Sequence, residues 1–215
     1  MKSSVGDRID FGGILWRILD LQEEKMLILT EDIVFQKDYH DKPEETIWKE
    51  CSLRNYLHKE FLDRFSIDEK SRILEVTNKN LGNPWYGGMK EEDTVDRVFL
   101  LSLDESVRLY FGDSSKLLDF RSPKQRYWFQ RKDLNNVNRR AVFDSCSWWW
   151  WIRTSGKSRK YAGYIHGDGN IGIQGNGVSK RNTNVIHPHT GSAAGGVRPA
   201  MWIQINKKER DYDKI

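Results

Sequence analysis

Along residues 7–34, apolar and polar positions come in short alternating runs. DRIDFGG ends in a Gly pair, a turn signal, ILWRILDL is apolar and β-rich, LQEEK is polar, and MLILTEDIV resumes the apolar run. Strands split by short polar connections predict an antiparallel meander. Period-2 alternation places Trp16 and Ile18 on one face and Leu15 and Arg17 on the other. Residues 46–64 then change period. Leu53, Tyr56, Leu57, Glu60, Phe61 and Leu62 recur at three-to-four spacing, which predicts an amphipathic helix with Ser52 as its cap. SIDE at 66–69 reads as a capping box that opens a second short helix running to about Leu74. Residues 78–93 form a Gly/Pro/Asn-rich loop that Trp85 and Tyr86 tether. RVFLLSL at 97–103 predicts a buried strand and DESVRLYF at 104–111 a helix, with Ser102 or Asp104 near its start.

The last third has a different character. SWWWWIR, YAGYIHG and NIGIQGN predict strands, with GDGN at 167–170 as a hairpin turn because Gly, Asp and Asn tolerate positive φ. GVRPAMWIQI at 196–205 predicts a closing strand, in which Pro199 belongs near a start, an edge or a bulge. In a strand, Trp148 and Trp150 face one way and Trp149 and Trp151 the other. Either both faces are covered, or one indole pair forms an exposed stacking surface for a sugar ring, peptide or base. No internal repeat or linker divides the chain. The pattern predicts one α+β domain over residues 1–206, with two or three helices in the first half, an irregular antiparallel sheet, a loop-rich C-terminal half and a charged tail at 207–215.

Composition alters this picture little. Hydrophobic residues make up 38% of the 215, but nine Trp, eight Tyr and nine Phe supply a core despite few aliphatics. The net charge of +4 is small and permits an acidic partner without requiring one. Residues 121–140, RSPKQRYWFQRKDLNNVNRR, are locally basic with Tyr127, Trp128 and Phe129 inside the run. They read either as a solvated loop with inward aromatics or as a nucleic-acid surface that includes Arg126, Arg139 and Arg140. MKSSVGDRID lacks the apolar core of a signal peptide, and no stretch approaches the roughly 18 apolar residues of a membrane span, so the expected location is cytoplasmic, with association with a phage or other particle as the alternative.

Candidate chemistry is sparse. The sequence has no GxSxG, HExxH, GxxxxGK[ST] or strand–GxGxxG–helix pattern, and no cofactor is expected. Cys51 and Cys146 lie far apart without metal spacing and read as buried free thiols or a single disulfide. His187 and His189, in HPH, form the one close His pair; they read as a polar loop, or as part of an enzyme site, with His166 or Asp168 completing a metal set. Glu91/Glu92 and Glu44/Glu45 read as solvated carboxylates, and HGDGN has too few ligands for calcium.

The combination WWIRTSG (150–156), YAGYIHGDGNI (161–171), NGV (176–178) and GVRPAMWIQI (196–205) resembles a bacterial and phage domain family of unknown function. Its pattern is WWLRSPG, an AAYVNSDGSV-like hairpin, an Asn-rich stretch and GVRPALWL. LWRILDLQEEKMLILTEDIV, TIWKECSLRNYLHKEFLDRFSIDEKSRIL and DRVFLLSLDES are similar to that family's N-terminal portion. This family in turn resembles C-type-lectin-like proteins, particularly the formylglycine-generating-enzyme-like branch that includes variable proteins of diversity-generating retroelements. The resemblance implies a C-type-lectin-like fold and non-enzymatic binding of a protein, peptide or glycan. The enzyme branch's cysteine chemistry does not carry over, since Cys51 and Cys146 stand in other places. The EPN or QPD and WND triplets of calcium-dependent sugar binders are absent. The expected binding residues are Trp151, Lys157, Arg159, Tyr164, His166, Asp168, Asn170, Gln174, Asn176, Arg181 and Asn182, with Tyr164, His166 and Asp168 on one period-2 face. Arg153 and Arg198, beside strand aromatics, are expected to be structural.

Overall fold

The computed structural model describes residues 3–88, 90–115, 133–179 and 186–205. The N-terminal meander forms as the pattern predicts, with strands β1 (Arg8–Phe11), β2 (Ile14–Leu21) and β3 (Lys25–Thr30). Trp16 and Ile18 are fully buried while Leu15 is half exposed, so period-2 alternation read this face correctly. A register shift between Ile18 and Asp20 then turns Leu19 into the core as well.

The first helix is shorter and less regular than its spacing suggested. Cys51, not Ser52, is the N-cap, and its Sγ accepts from the Arg54 amide. The Ser52 hydroxyl lies 3.0 Å from His40 Nδ1 and accepts from Asp41 N. Helix α1 (Ser52–Tyr56) continues as a π-helical turn (Leu57–Phe61) and a 3-10 turn (Leu62–Arg64). The apolar stripe nevertheless holds, since Leu53, Leu57 and Phe61 are all fully buried. Helix α2 (Ile67–Arg72) carries the expected capping box, in which Ser66 and Glu69 exchange backbone and side-chain bonds.

The remaining strands are β4 (Phe35–Gln36), β5 (Val76–Asn78), β6 (Thr94–Asp96), β7 (Val142–Phe143), β8 (Cys146–Ser147), β9 (Trp150–Ser155), β10 (Tyr161–Ile165), β11 (Ile171–Gly177), β12 (Gly196–Val197) and β13 (Ala200–Gln204). A π-helical turn (Glu105–Leu109) and helix α3 (Asn136–Arg139) complete the described elements. The chain is therefore mixed α+β, built mostly of strands in antiparallel sheets with few helices. A four-stranded sheet runs β1-β2-β3-β13 and a five-stranded sheet β11-β10-β9-β12-β4, in which β12 and β9 pair in parallel. β5 pairs with β6 and β7 with β8.

The predicted closing strand is divided between the two large sheets. β12 pairs with β9 and β4, and β13 with β3; Arg198 and Pro199 make the crossing. Pro199 has no N–H to donate, and its carbonyl accepts from Thr30 N at 3.0 Å. Residues 98–101 are buried as expected but form one isolated bridge, Phe99 to Ala200, rather than a ladder strand. One hydrophobic core cluster joins both halves of the chain.

A buried carboxylate ties the helical region to the small β5–β6 sheet. Asp96 is fully buried. It accepts from Arg54 Nε (2.6 Å), Asn78 Nδ2 (2.9 Å), Thr94 Oγ1 (2.6 Å) and Trp48 Nε1 (3.2 Å), and His58 Nε2 lies 3.0 Å away. Burial by itself would raise its pKa. The neighbouring His58, Asn78 and Thr94 donors and the Arg54 charge outweigh it and hold the carboxyl well below the usual range.

Candidate functional site

The site is built on β9. Trp148 and Trp149 are each 6% exposed, and Trp150 and Trp151 are fully buried. Both faces of the strand are therefore covered, and no indole stacking surface is left open. Three of the four indoles act as hydrogen-bonded staples. Trp148 Nε1 donates to Ala194 O (3.0 Å), Trp150 Nε1 to Arg139 O (3.0 Å) and Trp151 Nε1 to Lys37 O (2.9 Å). A buried Trp needs such an acceptor for its N–H, and each acceptor here comes from a different segment, that of Trp150 from the end of α3. Trp149 packs edge-on against Trp151 at 4.7 Å and Tyr164 at 5.4 Å. The close fit requires Gly195: a methyl group there would stand 2.2 Å from Trp151 Nε1.

Arg153 and Arg198 are structural, as expected. Arg153 pairs with Glu105 through its two terminal guanidinium nitrogens (2.6 and 2.9 Å) and lies 5.8 Å from the Phe99 ring. Ser102 and Glu105 bond reciprocally at the start of the π-helical turn, so Glu105 serves a cap and an ion pair together. Arg198 has no such carboxylate partner among the described residues. It donates to Thr30 O and Glu31 O and lies 4.8 Å from the Trp150 ring, while Nη1 has no hydrogen-bond partner among the described residues. Burial, then the nearby Arg17 charge, pushes its pKa down to about 9.

The expected binding residues separate into buried and displayed groups. Trp151 is buried and stapled to Lys37, which removes it as an anchor. Tyr164 is 8% exposed with its ring on Trp149, so the expected Tyr164–His166–Asp168 face does not form. The Trp149 ring covers Tyr164, and β10 ends at Ile165, so His166 and Asp168 lie in the turn beyond the strand. Asn170 is also buried, and its side chain bonds Asp168 Oδ2 and Asn136 Nδ2. Arg181 and Asn182 lie outside the described residues.

His166 and Asp168 are exposed at the hairpin tip, where they pair at 3.0 Å. The GDGN turn forms as predicted. His166 N donates to Asn170 O (2.7 Å), Asp168 Oδ1 accepts from Asn170 N, and Gly169 adopts φ +89°. Arg140 Nε donates to Asp168 O and Ser147 Oγ lies in contact with Gly167 O, so the tip is docked on its neighbours.

The other end of the hairpin carries the displayed group. Lys157 and Arg159 are exposed on the loop between β9 and β10, and Gln174 and Asn176 are partly exposed on β11. The backbone beneath them is held throughout. Gly156 N donates to Tyr161 O (2.7 Å), Lys157 N to Gln174 O (2.8 Å), Val178 N to Lys160 O (3.0 Å) and Thr46 N to Arg159 O (3.0 Å). Lys157 Nζ stands 4.1 Å over the Tyr161 ring. Glu91, expected to be solvated, is only partly exposed and accepts from Ser155 Oγ at 2.6 Å. Burial pushes its carboxyl up, against that bond and the Arg159 charge.

A second cluster was not legible in the sequence. β7 and β8 form a tight hairpin whose turn residues, Asp144 and Ser145, both have positive φ (45° and 63°). Such turns favour Asn-Gly, and non-Gly residues there cost on the order of 1 kcal/mol each. The HPH loop docks on this hairpin through His187, which is fully buried between Trp148 (4.9 Å) and Phe143 (5.4 Å). His189 then reaches Asp144, and Cys146 Sγ lies 3.8 Å from His189 Nε2. HPH alone signalled His189, but its partners sit more than forty residues away. Both cysteines are free thiols, and no group of three His, Cys, Asp or Glu among the described residues is arranged to hold a metal.

Residues 121–132 of the basic block, with Arg126, Tyr127, Trp128 and Phe129, lie outside the described residues. Arg139 is fully buried and ion-paired with Asp133, so it presents no charge to nucleic acid; Arg140 is exposed. No helix among the described residues is long and apolar enough to cross a membrane.

No curated protein and no solved structure matches the chain. A family model described as a domain of unknown function, DUF6273, matches residues 23–205, which span β3, the Trp strand, the hairpin and β13, and the chain belongs to that family.

Proposed function

We propose that this domain is a recognition module of the C-type-lectin-like kind that binds a protein, peptide or glycan without a cofactor. The observation that carries the reading is the end of the β10–β11 hairpin. There Lys157, Arg159, Gln174 and Asn176 project from backbone held by four hydrogen bonds of 2.7–3.0 Å. A backbone that is already fixed loses little further entropy when a partner docks, and adaptable polar side chains supply the contacts. The Trp strand supports the display indirectly. Its indoles hold the loops through Lys37, Arg139 and Ala194 and take no part in contact themselves.

The resemblance to variable proteins of diversity-generating retroelements extends the proposal to Lys157, Arg159, Gln174 and Asn176 as positions that tolerate variation. An imperfect copy of the 3′ coding region beside a reverse-transcriptase gene would support that extension. The binding test is a glycan array and a partner-capture screen with the wild type and a Lys157→Ala/Arg159→Ala/Gln174→Ala variant of equal thermal stability. Loss of the captured ligand by the variant supports the reading, and equal capture by both overturns it.

A further inference from the structure

Cys146, His189 and Asp144 come together from a hairpin and a loop that the proposed recognition surface does not use. His189 Nδ1 faces two acceptors, Asp144 O at 2.9 Å and Asp144 Oδ2 at 3.1 Å. Neither oxygen can donate, so Nδ1 carries the hydrogen and the neutral ring leaves its lone pair on Nε2. Cys146 Sγ lies 3.8 Å from Nε2 and 4.0 Å from Nδ1, against the ring rather than in line with the Nε2 lone pair. Thiol, imidazole and carboxylate are the groups of an assisted nucleophile, and such contacts are commonly long and poorly aligned before a substrate is bound.

His187 fixes this arrangement. Its Nε2 faces the Phe143 carbonyl at 2.9 Å and therefore donates, while its Nδ1 accepts from His189 N and Thr190 N at 3.3 Å. One buried imidazole thereby joins the hairpin to the loop and sets where His189 begins. Cys146 is partly exposed, whereas Cys51 is fully buried with its thiol pushed up to about 12 by burial. The two thiols thus differ in both access and surroundings.

We infer that Cys146 is a nucleophilic thiol that accepts an acyl group from an ester or thioester, with His189 as proton acceptor and Asp144 as the residue that positions His189. The Cys146 S–H proton passes to His189 Nε2 as Sγ bonds to the acyl carbon. The bond from that carbon to the leaving oxygen or sulfur breaks, and the leaving group takes the proton from His189. The products are S-acyl Cys146 and an alcohol or thiol; water later releases the acid and restores the thiol. No oxidant or metal enters the balance, and the step is independent of the recognition reading.

The test uses the full chain and p-nitrophenyl acetate at pH 7, following nitrophenolate release and locating the acetyl group by peptide mass. The expected result is one acetyl per chain on Cys146. The native rate should be at least tenfold above that of Cys146 in urea-unfolded protein, and His189→Gln should lower it by tenfold or more. Asp144→Asn should slow acylation and deacylation together, with partial rescue by Asp144→Glu. Acetyl found only on lysines overturns the inference, as does a native rate no higher than the unfolded rate. If His189→Gln folds and is acetylated as fast as wild type, the inference also fails. The native-versus-unfolded comparison holds even if a variant does not fold.

Discussion

The two ends of the β10–β11 hairpin have similar composition and opposite fates. Both are rich in Gly and in polar or charged residues. At the tip, these side chains bond one another and their neighbours: Asp168 to Asn170 and His166, Asn170 to Asn136, and the backbone of Asp168 to Arg140. At the opposite end the backbone makes the bonds; among the described residues the side chains of Arg159, Gln174 and Asn176 remain available, and Lys157 lies over the Tyr161 ring. A polar loop is thus a display surface only when its main chain supplies the order. Where side chains supply it, they are consumed.

This difference can be tested from its strongest point downwards. Gly169→Ala puts a methyl group 1.8 Å from the Asn136 carbonyl oxygen at φ +89°. Strain of about 1–2 kcal/mol and overpacking of about 1–3 kcal/mol combine to a loss of roughly 3 kcal/mol in urea denaturation. An unchanged midpoint would mean that the tip is not docked. Asn170→Ala removes bonds to Asp168 and Asn136 in a buried setting, for an expected loss of about 1–3 kcal/mol by the same measurement.

Acid titration gives a smaller effect. Burial raises the Asp168 pKa, but the Asn170 amide and His166 outweigh it and hold the carboxyl below the usual range. Its folded pKa is depressed, so its contribution is present above the unfolded value of about 3.9 and is lost as pH falls through the folded value. Asp168 is half exposed, which limits the effect to a few tenths of a kcal/mol. Wild type and Asp168→Asn should therefore converge in Tm as pH is lowered below about 4. The smallest effect is expected at the opposite end, where Lys157→Ala and Arg159→Ala should each change stability by no more than about 0.5 kcal/mol. A larger loss there would place that end in the same class as the tip.

Local signals proved readable where one short segment contains both partners of an interaction. The Ser66–Glu69 capping box, the 167–170 turn and the Trp16/Ile18 face all depend on residues within a few positions of one another. The misjudged positions depend on distant chain. Trp151 was a possible anchor until Lys37, 114 residues away, took its N–H. Tyr164 looked exposed by alternation, but the Trp149 ring covers it. Arg139 looked like part of a basic surface but faces Asp133 in the interior. Asp96 and the Cys146–His189–Asp144 cluster left no motif, because each collects single residues from separate segments.

The amino-acid order by itself determined the α+β class, the N-terminal meander and the hairpin turn, because backbone preference and hydrophobic period act over a few residues. Only the tertiary structure decided which polar side chains are free, which indoles are covered and which histidine meets a thiol. Burial and hydrogen-bond partners are properties of what packs on a face, and in this chain the covering residues come from loops tens to more than a hundred positions away.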